Sequence, residues 1–261
     1  MTMTAEPETK GVKSAERTLR ILELLGAAAK YVPVVELHRL TGYPRSSLHH
    51  LLHTLAAARW IEMSDDGTQV AISTQALVVG ASYLERDRTI PFAAAALEQI
   101  RDDTGYTAHY ARLDGSSVLY LATREPSNSH RRVSRIGRKL PAHATSHGKA
   151  LLAQLTPLER DAVLGDTPLQ ALTTRTITDR QALDDQLLHI RSRGFSVEYG
   201  ENTEGIVCVG VHVQYRIPAT DAISCSIPED LATEAELARV SKILLRGSRD
   251  LADALQAQGV R

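Results

Sequence analysis

Arg45, Ser46, Ser47, His49, His50 and His53 crowd into one short segment, and their types suggest two kinds of chemistry. Hydroxyls and imidazoles on a helix are short groups that can approach base edges in a DNA groove, while an arginine beside them meets phosphate. The His49-x3-His53 spacing also suits two metal ligands on one helical turn, with His38 the nearest further ligand. A second set begins at Thr145-Ser146-His147-Gly148. It precedes apolar Ala150-Leu151-Leu152 and so falls at a helix start, where unpaired N–H groups favour an anion such as a carboxylate. Gly148 there permits close approach of backbone or ligand. Ser224 and Ser226 alternate with Ile223, Cys225 and Ile227, so both hydroxyls leave one face of a strand, and Cys208 lies in another strand-like run. Cys208 with His147 or His109 has the types of a nucleophile–base pair. His143, His147 and Cys208 have those of a zinc site, but neither set has a diagnostic spacing. Gly148-Lys149 is no phosphate loop, because His143 stands where a glycine is needed and Ala150 where Ser or Thr is. Ser116 and Ser117 after Gly115 do not form the Gly-x-Ser-x-Gly elbow of hydrolases. Buried serines commonly bond nearby backbone and free cysteines commonly fill cores, so residue types alone do not assign a pocket.

Composition narrows the classes. The chain has 261 residues, 43% of them hydrophobic and 23% charged, which fits an ordinary globular protein of two domains. No apolar run approaches the ~18 residues of a membrane span, and the first ten residues have no signal core. Two cysteines build neither a disulfide framework nor a four-cysteine zinc site, so the expected compartment is the cytoplasm. No cofactor motif is present. A formal net charge of −1 argues against tight, indiscriminate polyanion binding. That balance is an average over segregated parts, because Leu37 through Ile61 contains no Asp or Glu but does contain Arg39, Arg45 and Arg59.

Periodicity then supplies the elements. Residues 1–11 are polar and aperiodic and read as a frayed tail. A helix capped by Ser14 carries Leu19, Ile21, Leu22 and Leu25; a second spans Val34–Leu40 with Pro33 at its start and Gly42 at its stop; a third runs from about Ser46 to Arg59. Leu48, Leu51, Leu52 and Leu55 give this third helix a core stripe opposite Ser46, His50 and His53, with Ser47, His49 and Thr54 on the flanks. Trp60–Met63 and Gln69–Ser73 flank an Asp66-Gly67 turn, completing the layout of a winged helix-turn-helix over 12–73. A connector helix of about Thr74–Arg88 follows, ending before Ile90-Pro91. The effector region, 92–261, shows strands at Thr107–Leu113, Ser117–Thr123, Ile206–Val213 and Asp221–Ile227. Capping boxes begin helices at Thr156, Thr178 and Thr233. The basic run Arg124, Arg131, Arg132, Arg135, Arg138 and Lys139 is expected at a solvated strand edge or a subunit contact.

Ordered motifs carry a family resemblance. Ser14-x2-Arg17-x-Leu19-x-Ile21-Leu22-x-Leu24-Leu25, Pro44 through Leu52, Arg135 through Leu152, and Arg193-Gly194-Phe195-Ser196 running on to Glu204-Gly205-Ile206-Val207-Cys208 together resemble the IclR family of bacterial transcriptional regulators. The resemblance implies an α+β protein: a winged helix-turn-helix, a connector helix and a GAF-like effector domain with an antiparallel sheet. It implies no enzyme activity, a double-stranded operator as partner, a carboxylate effector, and a homodimer or homotetramer. Carried over residue by residue, Ser146, His147, Gly148, Glu198, Cys208, Ser224 and Ser226 line the effector pocket, and Arg45 to His53 read DNA. The departures are specific. His50 stands where the family often has Arg, Thr68 and Gln69 where its wing often has Arg or Lys, and Val207 where Arg often precedes the cysteine. His147 is bulkier than usual, pointing beyond glyoxylate- or pyruvate-like acids to a larger aromatic or sugar-derived acid. Because an ordinary imidazole gains its charge around ~6.5, three of them on or near one face predict tighter operator binding below neutral pH. The alternative from another class is a metabolite-binding module whose winged helix contacts protein.

Overall fold

The computed structural model describes residues 11–127 and 135–260. Most of the expected tail, together with Arg131 and Arg132, lies outside them. The chain divides into two compact units, with Arg86 ending the first and Asp87 starting the second.

The first unit opens with α1 (Lys13–Ala28). Ser14 does not cap it: Val12 holds the cap position, and the Ser14 carbonyl inside the first turn accepts from the Thr18 hydroxyl at 2.8 Å. A two-residue strand, β1 (Val32–Pro33), precedes α2 (Val34–Thr41). Gly42 then takes the left-handed conformation at φ 65° and donates its N–H to His38 O at 2.9 Å, which turns the chain into α3 (Arg45–Ala57). Leu48, Leu52 and Leu55 of α3 are buried and Leu51 half-buried. They meet Ile21 and Leu25 of α1, Leu37 of α2 and Val70 in one core. β2 (Ile61–Met63) and β3 (Gln69–Ile72) form the wing. The Asp66 carboxylate holds its turn, accepting from the Ser64 hydroxyl at 2.6 Å and from Thr68 N at 3.1 Å. β1 pairs with the outer edge of β3, giving a three-stranded sheet of order β1-β3-β2. β1 was invisible in the sequence, since two residues show no period.

α4 (Thr74–Arg86) closes this unit, two residues short of the expected Arg88. None of its side chains is buried, and Leu77, Val78 and Val79 are exposed. The second unit begins at Asp87, whose carboxylate accepts from Thr89 N at 2.9 Å and from the Thr89 hydroxyl at 2.7 Å. Ile90-Pro91, read as a helix stop, opens α5 (Ile90–Thr104) instead. Proline lacks only an N–H that a first turn leaves unpaired, so it starts a helix as readily as it ends one.

The remainder is β4 (Thr107–Asp114), β5 (Ser117–Arg124), β6 (Lys139–Pro141), α6 (Ser146–Leu152), α7 (Pro157–Leu164), α8 (Arg180–Arg193), β7 (Ser196–Tyr199), β8 (Ile206–Val213), β9 (Asp221–Pro228) and α9 (Glu234–Ala257). The strands make one antiparallel sheet of order β6-β5-β4-β9-β8-β7. α5 and α9 pack against one face, and α6 packs against the other. Thr156 makes the expected capping box. At α8 the cap is Asp179 rather than Thr178, accepting from Ala182 N at 2.8 Å. At α9 Thr233 accepts from Glu236 N at 3.3 Å, while the Glu236 carboxylate pairs with Arg239 at 2.7 Å. The basic run is partly neutralised: Lys139, on edge strand β6, pairs with Asp114 at 2.5 Å, and Arg124 pairs with Glu98 at 2.8 Å.

Candidate functional site

α3 presents Arg45, Ser46, His49, His50 and His53 to solvent on the side opposite its leucines, and no carboxylate lies on it. Their exposure follows from the period: the leucines three and four apart claim the core, so the residues between them are turned outward. Ser47 differs. It is half-buried, and its hydroxyl accepts from Arg17 Nη1 at 3.1 Å while Arg17 lies 4.9 Å over the Tyr43 ring. Ser47 therefore ties α1 to α3 and does not stand free for a base. His49 and His53 face each other, Nε2 to Nε2 at 3.0 Å.

The second constellation lies on the α6 side of the large sheet. Directly opposed residues of antiparallel strands share a face. Register therefore places Ser196 and Glu198 of β7, Cys208 and Gly210 of β8, Ser224 and Ser226 of β9 and His109 of β4 together. Between β4 and β5 the register shifts at Tyr110/Ala111, so that His109 opposes Thr123 while Ala111 opposes Tyr120. The bulge thus turns Tyr120 onto the same face as Thr123. A chain of polar contacts crosses the sheet: Cys208 Sγ to Ser226 Oγ at 3.4 Å, Ser226 Oγ to His109 Nε2 at 3.3 Å, and His109 Nδ1 to Thr123 Oγ1 at 3.0 Å. His147 lies edge-on to Tyr120, ring centroids 5.1 Å apart, and its Nε2 approaches His109 O at 3.4 Å; its buried Nδ1 has no hydrogen-bond partner among the described residues.

A cavity of about 10 Å³ opens here, room for about one water molecule. Of the residues named from the sequence, Ser146, Glu198 and Cys208 line it, together with Tyr120, Arg135, Thr145, Asn202, Thr203 and Ile206. Arg135, expected at a strand edge or subunit contact, is therefore a cavity residue, with its guanidinium 5.8 Å from the Tyr120 ring centroid. His147, Gly148, Ser224 and Ser226 are not among the lining residues. His147 and Ser224 are buried, and Ser226 meets the lining residue Cys208.

The helix-start reading changes too. Thr145 caps α6, and its hydroxyl takes the Gly148 N–H at 3.2 Å, so that donor is not offered to an anion. The glycine is needed because a Cβ there would sit 2.1 Å from the Ala142 carbonyl oxygen. Gly210 does the same for the sheet, where a Cβ would lie 2.7 Å from Ser146 C and O; Ser196 Oγ donates to that same carbonyl at 2.6 Å. Gly210 thus lets α6 settle onto β8, while Gly148 lets the helix pack against the Ala142 backbone that precedes it.

Electrostatics follow from burial. Glu198 is 2% exposed, and desolvation raises its carboxyl to about 7. The Asn202 N–H at 2.9 Å and the Glu201 N–H, both on Oε1, work against that rise. Beneath it Lys149, fully buried, pairs with Glu201, whose Oε2 also accepts from Ile177 N at 3.3 Å. Desolvation pushes the Cys208 thiol up to about 12, and it pushes His109 well below an ordinary imidazole and His147 down to about 4. A nucleophilic cysteine needs the opposite, a depressed thiol beside a protonated base. Among the described residues no three His, Cys, Asp or Glu gather as a metal site, and His143 Nε2 meets Gln170 O at 3.0 Å.

Comparison with known proteins decides the family. Residues 14–64 match the IclR helix-turn-helix domain, and residues 81–253 match the bacterial transcriptional regulator IclR C-terminal domain. The chain belongs to the IclR family. The HTH-type transcriptional regulator XynR of Escherichia coli (strain K12) is 30% identical over 94% of this chain and 97% of its own length. The IclR transcriptional regulator of Alicyclobacillus acidocaldarius superposes with a TM-score of 0.79 at 23% identity, covering 93% of this chain and 98% of that one. An IclR homologue of Microbacterium hydrocarbonoxydans, solved with 4-hydroxybenzoate, gives a TM-score of 0.74 at 22% identity, over 94% and 99%. As an IclR-family protein the chain is a ligand-responsive, DNA-binding transcriptional regulator. Tyr120, Arg135, Asn202 and Thr203 escaped the sequence reading. Arg135 could have been suspected, because it opens the run into the α6 hallmark, but Tyr120 could not, since its facing depends on a bulge.

Proposed function

We propose that this IclR-family regulator grips operator DNA through the exposed face of α3 and releases or tightens that grip when a small hydroxylated or aromatic acid enters the cavity beside Glu198. One observation carries the effector half: Arg135 and Glu198 bring opposite charges to the same small space. The guanidinium suits a carboxylate, and the carboxyl of Glu198 accepts from a hydroxyl. Tyr120 offers a ring between them. The relative solved with 4-hydroxybenzoate holds an acid of this class. A cavity with room for about one water admits such an acid only if its lining moves, and that displacement is what would shift the population between DNA-competent and incompetent arrangements. The fold and the unpaired apolar stretch Leu77–Val79 support a homodimer or tetramer that reads symmetric half-sites. No described helix is long and apolar enough to cross a membrane, in keeping with action in the cytoplasm. The raised thiol and lowered imidazoles at Cys208, His109 and His147 support a sensing role without catalysis.

The test is calorimetric titration of hydroxy- and aromatic carboxylates into the full chain, followed by mobility shifts on DNA flanking its own gene with and without the best binder. Saturable acid binding lost in Arg135→Ala, coupled to altered operator affinity, supports the proposal. Salt-sensitive, sequence-independent DNA binding that no acid alters overturns it.

A further inference from the structure

The His49–His53 pair does something that neither DNA reading nor helix packing requires. Both rings are exposed, both sit on α3 one turn apart, and both turn the same atom inward, Nε2 facing Nε2 at 3.0 Å with ring centroids 4.2 Å apart. Between two neutral imidazoles that contact holds one proton: one ring donates, and the other accepts with its lone pair. Moving the donor ring's proton from Nε2 to Nδ1 leaves two lone pairs converging on one point. No proton leaves the protein and no bond to carbon changes.

Two nitrogens each about 2.0–2.1 Å from an ion, and 3.0 Å from each other, subtend an angle of about 91–97° at that ion. That is close to the cis angle of a tetragonal site, which favours copper(II) or nickel(II) among first-row ions, with zinc weaker. No third His, Cys, Asp or Glu completes the set among the described residues, so water would fill the other positions. His50, the third imidazole of the segment, stands apart with its ring centroid 6.2 Å from that of His49.

We propose that His49 and His53 form a two-nitrogen chelate for copper(II) or nickel(II) on the exposed face of α3, and that the bound ion removes both imidazoles from base reading. The consequence for DNA rests on the operator reading of α3, but the binding does not. An ion held there still presents open positions and positive charge to phosphate, so it leaves general DNA affinity in place. What falls is the ratio of operator to random-sequence affinity, by about tenfold if the pair contributes one good base contact.

The experiment titrates the full chain with copper(II) and with nickel(II), following copper by electron paramagnetic resonance and both by calorimetry. The expected result is one ion per chain coupled to two nitrogens, copper tighter than nickel. The signal should be lost in His49→Ala and in His53→Ala and kept in His50→Ala. Far-ultraviolet circular dichroism of each variant confirms that these surface changes leave the helix intact. A wild-type signal that survives in the His49→Ala/His53→Ala double variant overturns the chelate, as does the absence of one-equivalent binding. Mobility shifts on operator and random DNA with and without copper then separate the two layers. Metal binding with unchanged selectivity removes these histidines from base reading and leaves the chelate standing.

Discussion

The two polar constellations of this regulator are built in opposite ways. On α3 Arg45, Ser46, His49, His50 and His53 are all exposed, and His49 and His53 meet across one short contact. On the α6 side of the large sheet, Glu198, His109, His147, Lys149 and Ser224 are all buried to 3% exposure or less. A surface that must meet many DNA sequences gains from groups whose loss costs the fold nothing. The groups around Glu198 are instead held by the fold itself, through backbone hydrogen bonds and a buried ion pair. The lesson is one of separability. Function and stability come apart on α3 and are inseparable around Glu198.

The sharpest way to break that contrast is at Lys149 and Glu201. Removing either partner leaves a buried charge unpaired, so Lys149→Ala or Glu201→Ala should cost about 3–5 kcal/mol, read from urea unfolding of the full chain. A loss under about 1 kcal/mol would mean the buried site is no more integral to the fold than α3. Next comes Glu198. Its folded carboxyl titrates near 7, above the unfolded value, because burial disfavours the charged form. Stability from the protonated acid is therefore complete below the unfolded value of 4.5 and drains away as pH rises through about 7. Glu198→Gln should flatten that window, worth roughly 3 kcal/mol across it. A stability profile that keeps the same slope in the variant would assign the window to another group. Gly210→Ala should cost about 1–3 kcal/mol, since the added Cβ meets the Ser146 backbone and not a flexible side chain. Gly26→Ala, on α1 with nothing within 4 Å and an ordinary φ, should instead stabilise by about 0.4–1 kcal/mol.

The same contrast explains what was legible in the sequence. The Leu48, Leu51, Leu52, Leu55 stripe is local: four residues on one helix define both its buried side and, by elimination, its exposed face. The strands β4, β5, β8 and β9 were likewise readable from alternation and turn residues. The cavity was not, because it is a product of pairing between distant segments. Tyr120 joins it through the register shift opposite Tyr110/Ala111, and Arg135 through a turn with no period. Ser47 shows the limit on the readable side, since a helical wheel places it on the flank but cannot see Arg17 reaching across from α1. Gly148 shows an alternative that the sequence left open: of the backbone or ligand that its missing Cβ admits, the structure brings the Ala142 backbone close.

The smallest effects on stability, and the most telling for the comparison, belong to α3. Arg45→Ala, His50→Ala and His53→Ala remove exposed groups, so each should shift folding stability by no more than about 0.5 kcal/mol. Their effects on DNA should nevertheless differ in kind. Arg45 stands at the start of the helix, where the operator proposal gives it a phosphate as partner. Its loss should weaken operator and random DNA alike and lower the salt slope of binding by about 1. His50 is exposed on the outward face, so on the operator proposal its loss should change which base is preferred while the salt slope holds. Measuring both variants on a small library of operator mutants at two salt concentrations separates the two. If His50→Ala leaves base preference untouched, the outward face of α3 is a phosphate-gripping surface only. Selectivity must then come from DNA shape or half-site spacing.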